Sequence, residues 1–271
     1  MPQRRLEDGR ERVGSLARWP RMHVAHEATR RTARRSLQLL RSFRLEQRDP
    51  DAFYGLLAAD TIALLGRTVR LEGALTLDVG GGAGYLTRAL RAAGARCVLV
   101  EAQLQELSWR GPPVRGCLLA DGRALPVVSE SVDLVVCSNV LEHVPEPFAL
   151  VEEMARVLRP GGHLWLSFTN WYGPWGGHET SPWHYLGGEH ARRRYVAREG
   201  RQPKNVFGRS LFPLHVGPTL RGLSSRHDLR VVEARPRYLP ELARGILRVP
   251  VLREVLTWNL EVLARKPEPG T

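Results

Sequence analysis

A glycine-rich segment that begins at Asp78 has the residue types and spacing of a ligand-binding turn. Its glycines, Gly80, Gly82 and Gly84, recur at every second position between an apolar run and residues with helical spacing. Glycine lets the backbone approach a ligand closely, and the first turn of a helix has N–H groups without partners. The dinucleotide fingerprint would need glycine where Tyr85 stands, and the Asp78 carboxylate would repel a pyrophosphate. The segment therefore favours a ligand that lacks phosphate groups and can carry positive charge.

The elements that position this turn alternate between strand and helix. Apolar runs typical of buried strands occupy residues 74–79, 96–101, 114–119, 132–138 and 163–169. Segments with helical spacing separate them at residues 84–93, 103–109 and 147–158. This alternation predicts an α/β fold, with a mostly parallel sheet and helices on both faces. Weaker strand patterns follow at residues 229–234 and 258–264, with a helical segment at 240–256 between them.

Several motifs, in this order, resemble those of the class I S-adenosylmethionine-dependent methyltransferases of the type 11 group. They are the turn at 77–84, Glu101 at a strand end, and the segments at 120–122, 131–144 and 158–162. The whole chain is also similar to a group of uncharacterised actinobacterial methyltransferases. The resemblance implies S-adenosylmethionine as the cofactor. It also implies a Rossmann-like, seven-stranded, mostly parallel sheet with N-terminal helices and an insert after strand five.

The resemblance assigns a set of cofactor-binding residues. Glu101 would accept hydrogen bonds from the ribose hydroxyls, and Asp121 would accept one from the exocyclic amine of adenine. Asp78 would face the ammonium and sulfonium end of the cofactor. The full predicted set is Asp78, Gly80, Gly82, Gly84, Glu101, Asp121, Gly122, Ser138 and Asn139.

The predicted catalytic candidates are Glu142 and His143, which follow the fourth strand, and His178. Methyl transfer from a sulfonium depends mainly on alignment, and a base is needed only where the acceptor must lose a proton. His143 could equally cap a helix or pack near the cofactor. In family members that methylate phenolic hydroxyls, a Glu-Glu-His set holds a metal. Because Asn139 occupies the first position of that set, we expect no metal.

Residues 170–217 interrupt the alternation and are rich in Trp, Tyr, His and Gly. In the family that the chain resembles, the stretch after strand five commonly shapes the acceptor pocket. The predicted pocket residues are Trp171, Trp175, His178, Trp183, His184 and Tyr185. Arginines at 192–201 could hold an acidic acceptor. The alternative interpretation is a packed cover with a solvated arginine face.

The charge is strongly positive, with a net value of +12. Residues 1–48 hold 13 arginines against 5 acidic residues and so carry +8 of it. Such a basic arm could bind nucleic acid, anionic lipid or an acidic partner, or could simply be solvated. The signature of enzymes that methylate base amino groups, Asn or Asp before Pro-Pro and an aromatic, is absent after strand four. Nucleic acid is therefore not the favoured partner.

Cysteine usage and hydropathy predict a cytoplasmic protein. Cys97, Cys117 and Cys137 lie in apolar runs and are expected to be buried free thiols. We expect neither a membrane-spanning helix nor a signal peptide. The helical segment at 240–256 is a candidate for peripheral contact with a membrane.

The sequence predicts six segments. They are a disordered basic arm (1–25), an N-terminal helical cap (26–72), a cofactor-binding core (73–169), a substrate-cap insert (170–218), a C-terminal part of the core (219–266) and a tail (267–271). The predicted function is methyl transfer from S-adenosylmethionine to an oxygen or nitrogen of a small-molecule or lipid-like acceptor. The alternatives are a nucleic-acid methyltransferase and a non-catalytic cofactor-binding or interaction protein on the same scaffold.

Overall fold

The structure is a computed structural model that describes residues 32–43 and 49–270. The predicted basic arm, residues 1–25, lies outside the described residues, as do parts of the predicted N-terminal cap.

Within the described residues, seven strands form one sheet in the order β3-β2-β1-β4-β5-β7-β6. The strands are β1 (Leu75–Val79), β2 (Arg96–Glu101), β3 (Cys117–Leu119), β4 (Val132–Ser138), β5 (Leu158–Thr169), β6 (Arg230–Pro236) and β7 (Asn259–Arg265). Strands β1 to β5 are parallel, and β7 pairs in the antiparallel sense with β5 and β6. The predicted Rossmann-like, mostly parallel sheet is confirmed. Its topology brings the ends of β1, β2, β4 and β5 to one edge, where the glycine turn also lies.

Helices surround this sheet. They are α1 (Ala33–Phe43), α2 (Pro50–Leu65), α3 (Tyr85–Ala92), α4 (Leu104–Ser108), α5 (Pro147–Val157), α6 (Gly188–Glu199), α7 (Val216–Ser224) and α8 (Pro250–Leu256). Short 3₁₀ segments lie at Leu141–His143, His178–Thr180, Trp183–Leu186 and Glu241–Arg248. At the start of α2 the Asp49 side chain accepts a hydrogen bond from the Ala52 N–H, and Pro50 occupies the first turn. This cap defines the start of α2.

Alternate residues of the central strands face two separate apolar cores. Leu134 and Val136 of β4 pack with Trp165 of β5 and with the apolar faces of α2 and α3. Val135 and Cys137 point to the other face, where they join the core that includes α5 and α7. The N-terminal helix α2 therefore lies against the sheet.

The structure corrects several predicted boundaries. The strand expected at 163–169 begins earlier, because the motif segment at 158–162 lies inside β5, at a register shift in its pairing with β4. The single helix expected at 240–256 is two pieces that meet at Val249, because the residue before a proline disfavours the α conformation. Helix α7 was not expected from the sequence.

Two of the three free cysteines, Cys97 and Cys137, are buried as predicted, whereas Cys117 is partly exposed because it lies in the short edge strand β3. Among the described residues no helix combines the length and the apolar character that crossing a membrane requires.

Candidate functional site

The glycine turn connects β1 to α3 and depends on glycine at three positions for packing. Gly80 and Gly84 have φ values of +71° and +77°, which L residues rarely adopt. A Cβ on Gly80 would lie 2.3 Å from Val140 Cγ2, and one on Gly84 would lie 2.9 Å from Val114 Cγ1. At Gly82 (φ +50°) a Cβ would meet nothing within 4 Å. A Cβ on Gly81 would lie 2.7 Å from Asp78 Oδ2, so the turn is packed tightly at Gly80, Gly81 and Gly84 and has free space at Gly82.

Asp78, the last residue but one of β1, is buried beneath this turn with an incompletely satisfied carboxylate. Its Oδ2 accepts a hydrogen bond of 2.6 Å from the Thr87 hydroxyl, and its Oδ1 has no partner among the described residues. Burial raises the pKa of Asp78 to about 6, against the opposing effect of the Thr87 hydrogen bonds. A cationic group above the turn would compensate the buried charge, so this carboxylate fits the ammonium end of S-adenosylmethionine.

Glu101 ends β2 beside the turn and is hydrogen-bonded to it directly. Its Oε2 accepts from the Gly82 N–H at 3.1 Å. Its Oε1 accepts from the N–H groups of Ala102 and Gln103, at 2.9 and 3.2 Å. A carboxylate offers about four acceptor positions, so roughly one remains for a ribose hydroxyl. Glu101 therefore both fixes the turn and retains capacity for a ligand.

The segment predicted to read adenine reaches the end of β1, but its carboxylate is already engaged. A Cβ on Gly122 would lie 3.0 Å from Val79 Cγ1, which places this glycine against the strand that leads into the turn. Asp121 instead accepts hydrogen bonds from the Arg123 guanidinium and from its backbone N–H, at 2.8 and 2.9 Å. Hydrogen bonding to Arg123 lowers the pKa of Asp121. Contact between Asp121 and adenine stays a prediction.

Ser138 and Asn139, at the end of β4, belong to a polar network that the sequence analysis did not identify. Asn139 Oδ1 accepts a 2.8 Å hydrogen bond from Asn259 Nδ2, and Ser138 Oγ accepts one of 3.2 Å from Arg237. Arg237 is buried and also donates to Ser167 Oγ at 3.0 Å. The network therefore ties the ends of β4 and β5 to the beginning of β7.

Three buried charged side chains interact with one another next to this network. The Arg237 guanidinium lies 3.1 Å from a Glu261 carboxylate oxygen, and Arg235 contacts the other oxygen at 2.9 Å. Thr61 of α2 accepts a further bond from Arg237 at 3.2 Å. The sequence signal was two arginines at alternate positions of an otherwise half-apolar strand, where both point to one face.

The three predicted catalytic residues form one cluster. A possible ligand atom from each of Glu142, His143 and His178 lies within 4.8 Å of the other two, and the imidazole centroids are 5.0 Å apart. Glu142 and His143 occupy the 3₁₀ segment after β4, and His178 comes from the insert after β5. This segment adjoins the glycine turn, since Val140, immediately before it, contacts Gly80.

Each member of the cluster has its own environment. Glu142 is buried, and its Oε1 accepts a 2.9 Å hydrogen bond from the Thr169 N–H. His143 Nδ1 lies 2.7 Å from the Ser210 carbonyl oxygen, which can only accept, so this nitrogen carries the proton. Burial, with smaller contributions from His143 and other neighbouring cations, lowers the pKa of His178 to about 3. His178 is thus a neutral imidazole near pH 7.

The other predicted pocket residues are engaged in packing the insert. Buried Trp171 meets the ring of His184 edge-on, with centroids 5.2 Å apart, and Trp175 meets Trp258 at 5.0 Å. Trp183 is partly exposed beneath the Arg194 guanidinium, which lies 3.7 Å from its ring centroid. Half-exposed Tyr185 donates to a backbone carbonyl. Of the six, His178 alone joins the cluster, and acceptor contacts of the other five stay a prediction.

Known proteins resemble this chain in sequence and in fold. A family model described as a methyltransferase domain matches residues 77–166. An uncharacterized methyltransferase of Mycobacteroides abscessus is 46% identical, over 88% of this chain and 96% of its own length. One from Mycobacterium leprae is 44% identical, over 88% and 91%.

A solved S-adenosylmethionine dependent methyltransferase from Mesorhizobium loti shares the fold. It superposes with a TM-score of 0.53 over 75% of this chain and 96% of its own, at 22% sequence identity. These sequence relatives cover 88% of the chain at well over a third identity. The chain therefore belongs to the class I S-adenosylmethionine-dependent methyltransferases.

Proposed function

We propose that this methyltransferase acts on an oxygen or nitrogen of a small-molecule or lipid-like acceptor at the Glu142–His143–His178 cluster. One observation carries the proposal: the cluster stands beside the glycine turn, at the edge where the parallel strands end. Ligands of open α/β sheets bind at this edge. The cluster is therefore in the right place for an acceptor that must meet the cofactor.

We assign the cofactor to residues around the turn. S-adenosylmethionine supplies a methyl group that its sulfonium already activates. Asp78 Oδ1 has no hydrogen-bond partner among the described residues. The positively charged ammonium group of the cofactor would compensate the negative charge of this carboxylate. Glu101 would accept from a ribose hydroxyl, and the chain at Gly122, packed against Val79, would line the adenine side. Ser138 and Asn139 would form the wall on the methionine side, held by their hydrogen bonds to Arg237 and Asn259.

The protein's own groups can orient the acceptor and accept its proton. Because His143 donates through Nδ1 to Ser210, its Nε2 is the nitrogen with a free lone pair. Glu142, fixed by the Thr169 N–H, supplies negative charge next to that imidazole. An acceptor hydroxyl or amine held here would lose its proton toward His143 as its lone pair meets the methyl carbon.

An exposed apolar surface near the insert supports a lipid-like acceptor. In the segment 241–256, Leu242 is 98% exposed and Val251 is 72% exposed. A groove of about 450 Å³ beside α8 is lined by Val251 and Val255 together with Tyr172 from the insert. We propose that this surface makes peripheral contact with a membrane, as part of a cytoplasmic enzyme. The free, mainly buried cysteines support that location.

Membrane contact can be tested with a matched pair of substitutions. Val251→Glu should reduce cosedimentation with fluid vesicles that contain anionic lipid, because it places charge on the apolar surface. Val128 is 77% exposed and belongs neither to the segment 241–256 nor to the groove lining, so Val128→Glu serves as the control. Equal sedimentation of the two variants and the wild type would contradict membrane contact through this segment.

A transfer screen tests the proposed function. The protein is incubated with S-adenosylmethionine labelled on the methyl group and with separated lipid and small-molecule fractions of bacterial extract. The proposal predicts a labelled product in one of these fractions, and at least a tenfold lower rate for Glu142→Gln. Label in the nucleic-acid fraction alone would favour the nucleic-acid alternative, and no label in any fraction would favour a non-catalytic scaffold.

A further inference from the structure

We propose that Glu142, His143 and His178 form a binding site for one divalent first-row transition-metal ion. The ion would have a coordination position open to the acceptor. The existence of the site does not depend on the proposed function, whereas its role toward the acceptor rests on that function.

Two buried atoms of the cluster lack the partners that buried polar atoms ordinarily have. Glu142 is 1% exposed, and its Oε2 has no hydrogen-bond partner among the described residues. His178 Nε2 is also buried and without a partner there. An unpaired carboxylate oxygen in the interior is costly, since a buried charge needs a counter-charge or a hydrogen bond. Both atoms are electron-pair donors, and one cation between them would satisfy both.

The third residue is oriented as a metal-binding histidine would be. His143 donates its Nδ1 proton to the Ser210 carbonyl at 2.7 Å. Metal-binding histidines usually donate their other ring N–H to a carbonyl or carboxylate, which fixes the tautomer and the ring. Here that bond leaves His143 Nε2 deprotonated and available. The bond from the Thr169 N–H to Glu142 Oε1 at 2.9 Å anchors the carboxylate in the same way.

The separations suit one ion after a small closure. One possible ligand atom from each of the three residues lies within 4.8 Å of the other two. Around a four-coordinate ion with bonds of about 2.0–2.2 Å, ligand atoms lie roughly 3.3 Å apart. The side chains must therefore approach by at most about 1.5 Å. His178 is held at φ +48°, an uncommon conformation for a residue other than glycine, and this conformation delivers its ring to the cluster.

The donor set selects the class of metal. Two imidazoles with one carboxylate suit Zn²⁺, Fe²⁺, Co²⁺ or Ni²⁺, whereas Mg²⁺ and Ca²⁺ prefer all-oxygen sites. Sites with three protein ligands keep a position for water or substrate. The expectation of no metal was based on Asn139, and that side chain is indeed turned away, toward Asn259. The structure supplies a different third ligand, His178, which is 35 residues further along the chain than His143.

The site would activate a hydroxyl acceptor by binding its oxygen. With the ion bound, His143 Nε2 would be a metal ligand and no longer the base. An acceptor R–OH on the ion would then lose its proton to solvent and become R–O⁻, since a divalent ion lowers the pKa of a bound hydroxyl. The oxygen lone pair then forms a bond to the methyl carbon of S-adenosylmethionine. The carbon–sulfur bond breaks, its electron pair goes to sulfur, and neutral S-adenosylhomocysteine leaves with the methyl ether R–O–CH₃.

The experiment is a titration of the chelator-treated full chain with Co²⁺ alone, followed by visible absorption and by calorimetry. We expect the wild type to bind one equivalent, and His178→Ala and Glu142→Gln to bind at least tenfold more weakly. Glu142→Gln keeps an amide oxygen for the Thr169 N–H, so it preserves the local fold even where His178→Ala does not. His190→Ala removes an exposed histidine from α6 and should bind Co²⁺ as the wild type does.

Two outcomes would overturn the site: no one-equivalent binding by the wild type, or unchanged affinity in both cluster variants. Methyl transfer that continues at full rate after chelation, with no Co²⁺ bound, would leave the proposed function intact and place His143 as a simple base. One-equivalent binding without transfer to any fraction would support the site and contradict the proposed function.

Discussion

Arg237 Nη1 lies 3.0 Å from Ser167 Oγ, beneath the edge of the sheet where we place the methionine end of the cofactor. The same guanidinium contacts Glu261, which has 1% of its surface exposed. One buried network thereby holds together the end of β5, a side chain of β7 and the chain that follows β6. The network links the stability of the fold to the shape of the candidate site.

Removal of Arg237 should destabilise the protein strongly. Arg237→Ala leaves Glu261 with one fewer counter-charge in the interior, and breaking a buried ion pair costs about 3–5 kcal/mol. Arg230 begins β6, the strand that Arg237 follows, but is exposed, so Arg230→Ala should change the free energy of unfolding by about 0.5 kcal/mol or less. Urea denaturation of the two variants measures both values. Similar losses of unfolding free energy in the two variants would show that the Arg237 network contributes no special stability.

The glycine turn should not tolerate a methyl group at Gly80. In Gly80→Ala the new Cβ would lie 2.3 Å from Val140 Cγ2 in a left-handed conformation that by itself costs about 1–2 kcal/mol. We expect lower stability and loss of S-adenosylmethionine binding, measured by thermal unfolding and by calorimetry.

Gly55→Ala is the matched control for that substitution. Gly55 is inside α2, where an added Cβ meets nothing within 4 Å, so alanine should stabilise by about 0.5–1 kcal/mol. Equal behaviour of the two variants would contradict the close packing of the turn.

Asp78 should make stability and cofactor affinity respond to pH in opposite directions. The pKa of its buried carboxyl is about 6, above the ordinary value of 3.8, so the folded chain retains a proton that the unfolded chain releases. Between these two values, folding stability contributed by Asp78 therefore falls as the pH rises. Affinity for the ammonium group of the cofactor should increase over the same range, because the carboxylate becomes charged.

Asp78→Asn removes this titration without changing the size of the side chain. Its thermal stability should lack the component that declines between about pH 4 and 6, and its cofactor affinity should be weak at every pH. Denaturation and calorimetry across that range, with the wild type alongside, measure both. A pH profile of the variant that parallels the wild type would exclude Asp78 as the titrating group.

Much of the sheet and of the glycine turn could be predicted from local pattern. The strands β2 and β4 begin and end where the apolar runs do, because a parallel strand buried on both faces reads as a continuous apolar segment. Asp49 and the proline that follows it are residue types typical of a helix start, and α2 begins there. Helix α7 depends on tertiary packing, and no local pattern reveals it. The division at Val249 follows from Pro250, a local signal that the prediction of one continuous segment did not use.

The candidate site shows what sequence spacing cannot determine. Glu142 and His143 are adjacent in sequence, but only the path of the insert brings His178 to them. Trp183 and Tyr185 belong to the same aromatic-rich insert and were also predicted as pocket residues, but both lie at the surface. Arg237 was missed because its partners come from β4, β5, β7 and α2, which the sequence separates widely.

Calorimetric titration with S-adenosylmethionine tests the central claim, that the glycine turn and Glu101 hold this cofactor, most directly. We expect one-to-one binding by the wild type and at least tenfold weaker binding by Glu101→Gln, since hydrogen bonds to a charged group contribute about 1.5–3 kcal/mol. Glu130→Gln alters an exposed glutamate that pairs with Lys266, and should bind like the wild type. Undiminished affinity in Glu101→Gln, or no binding by the wild type, would contradict the account.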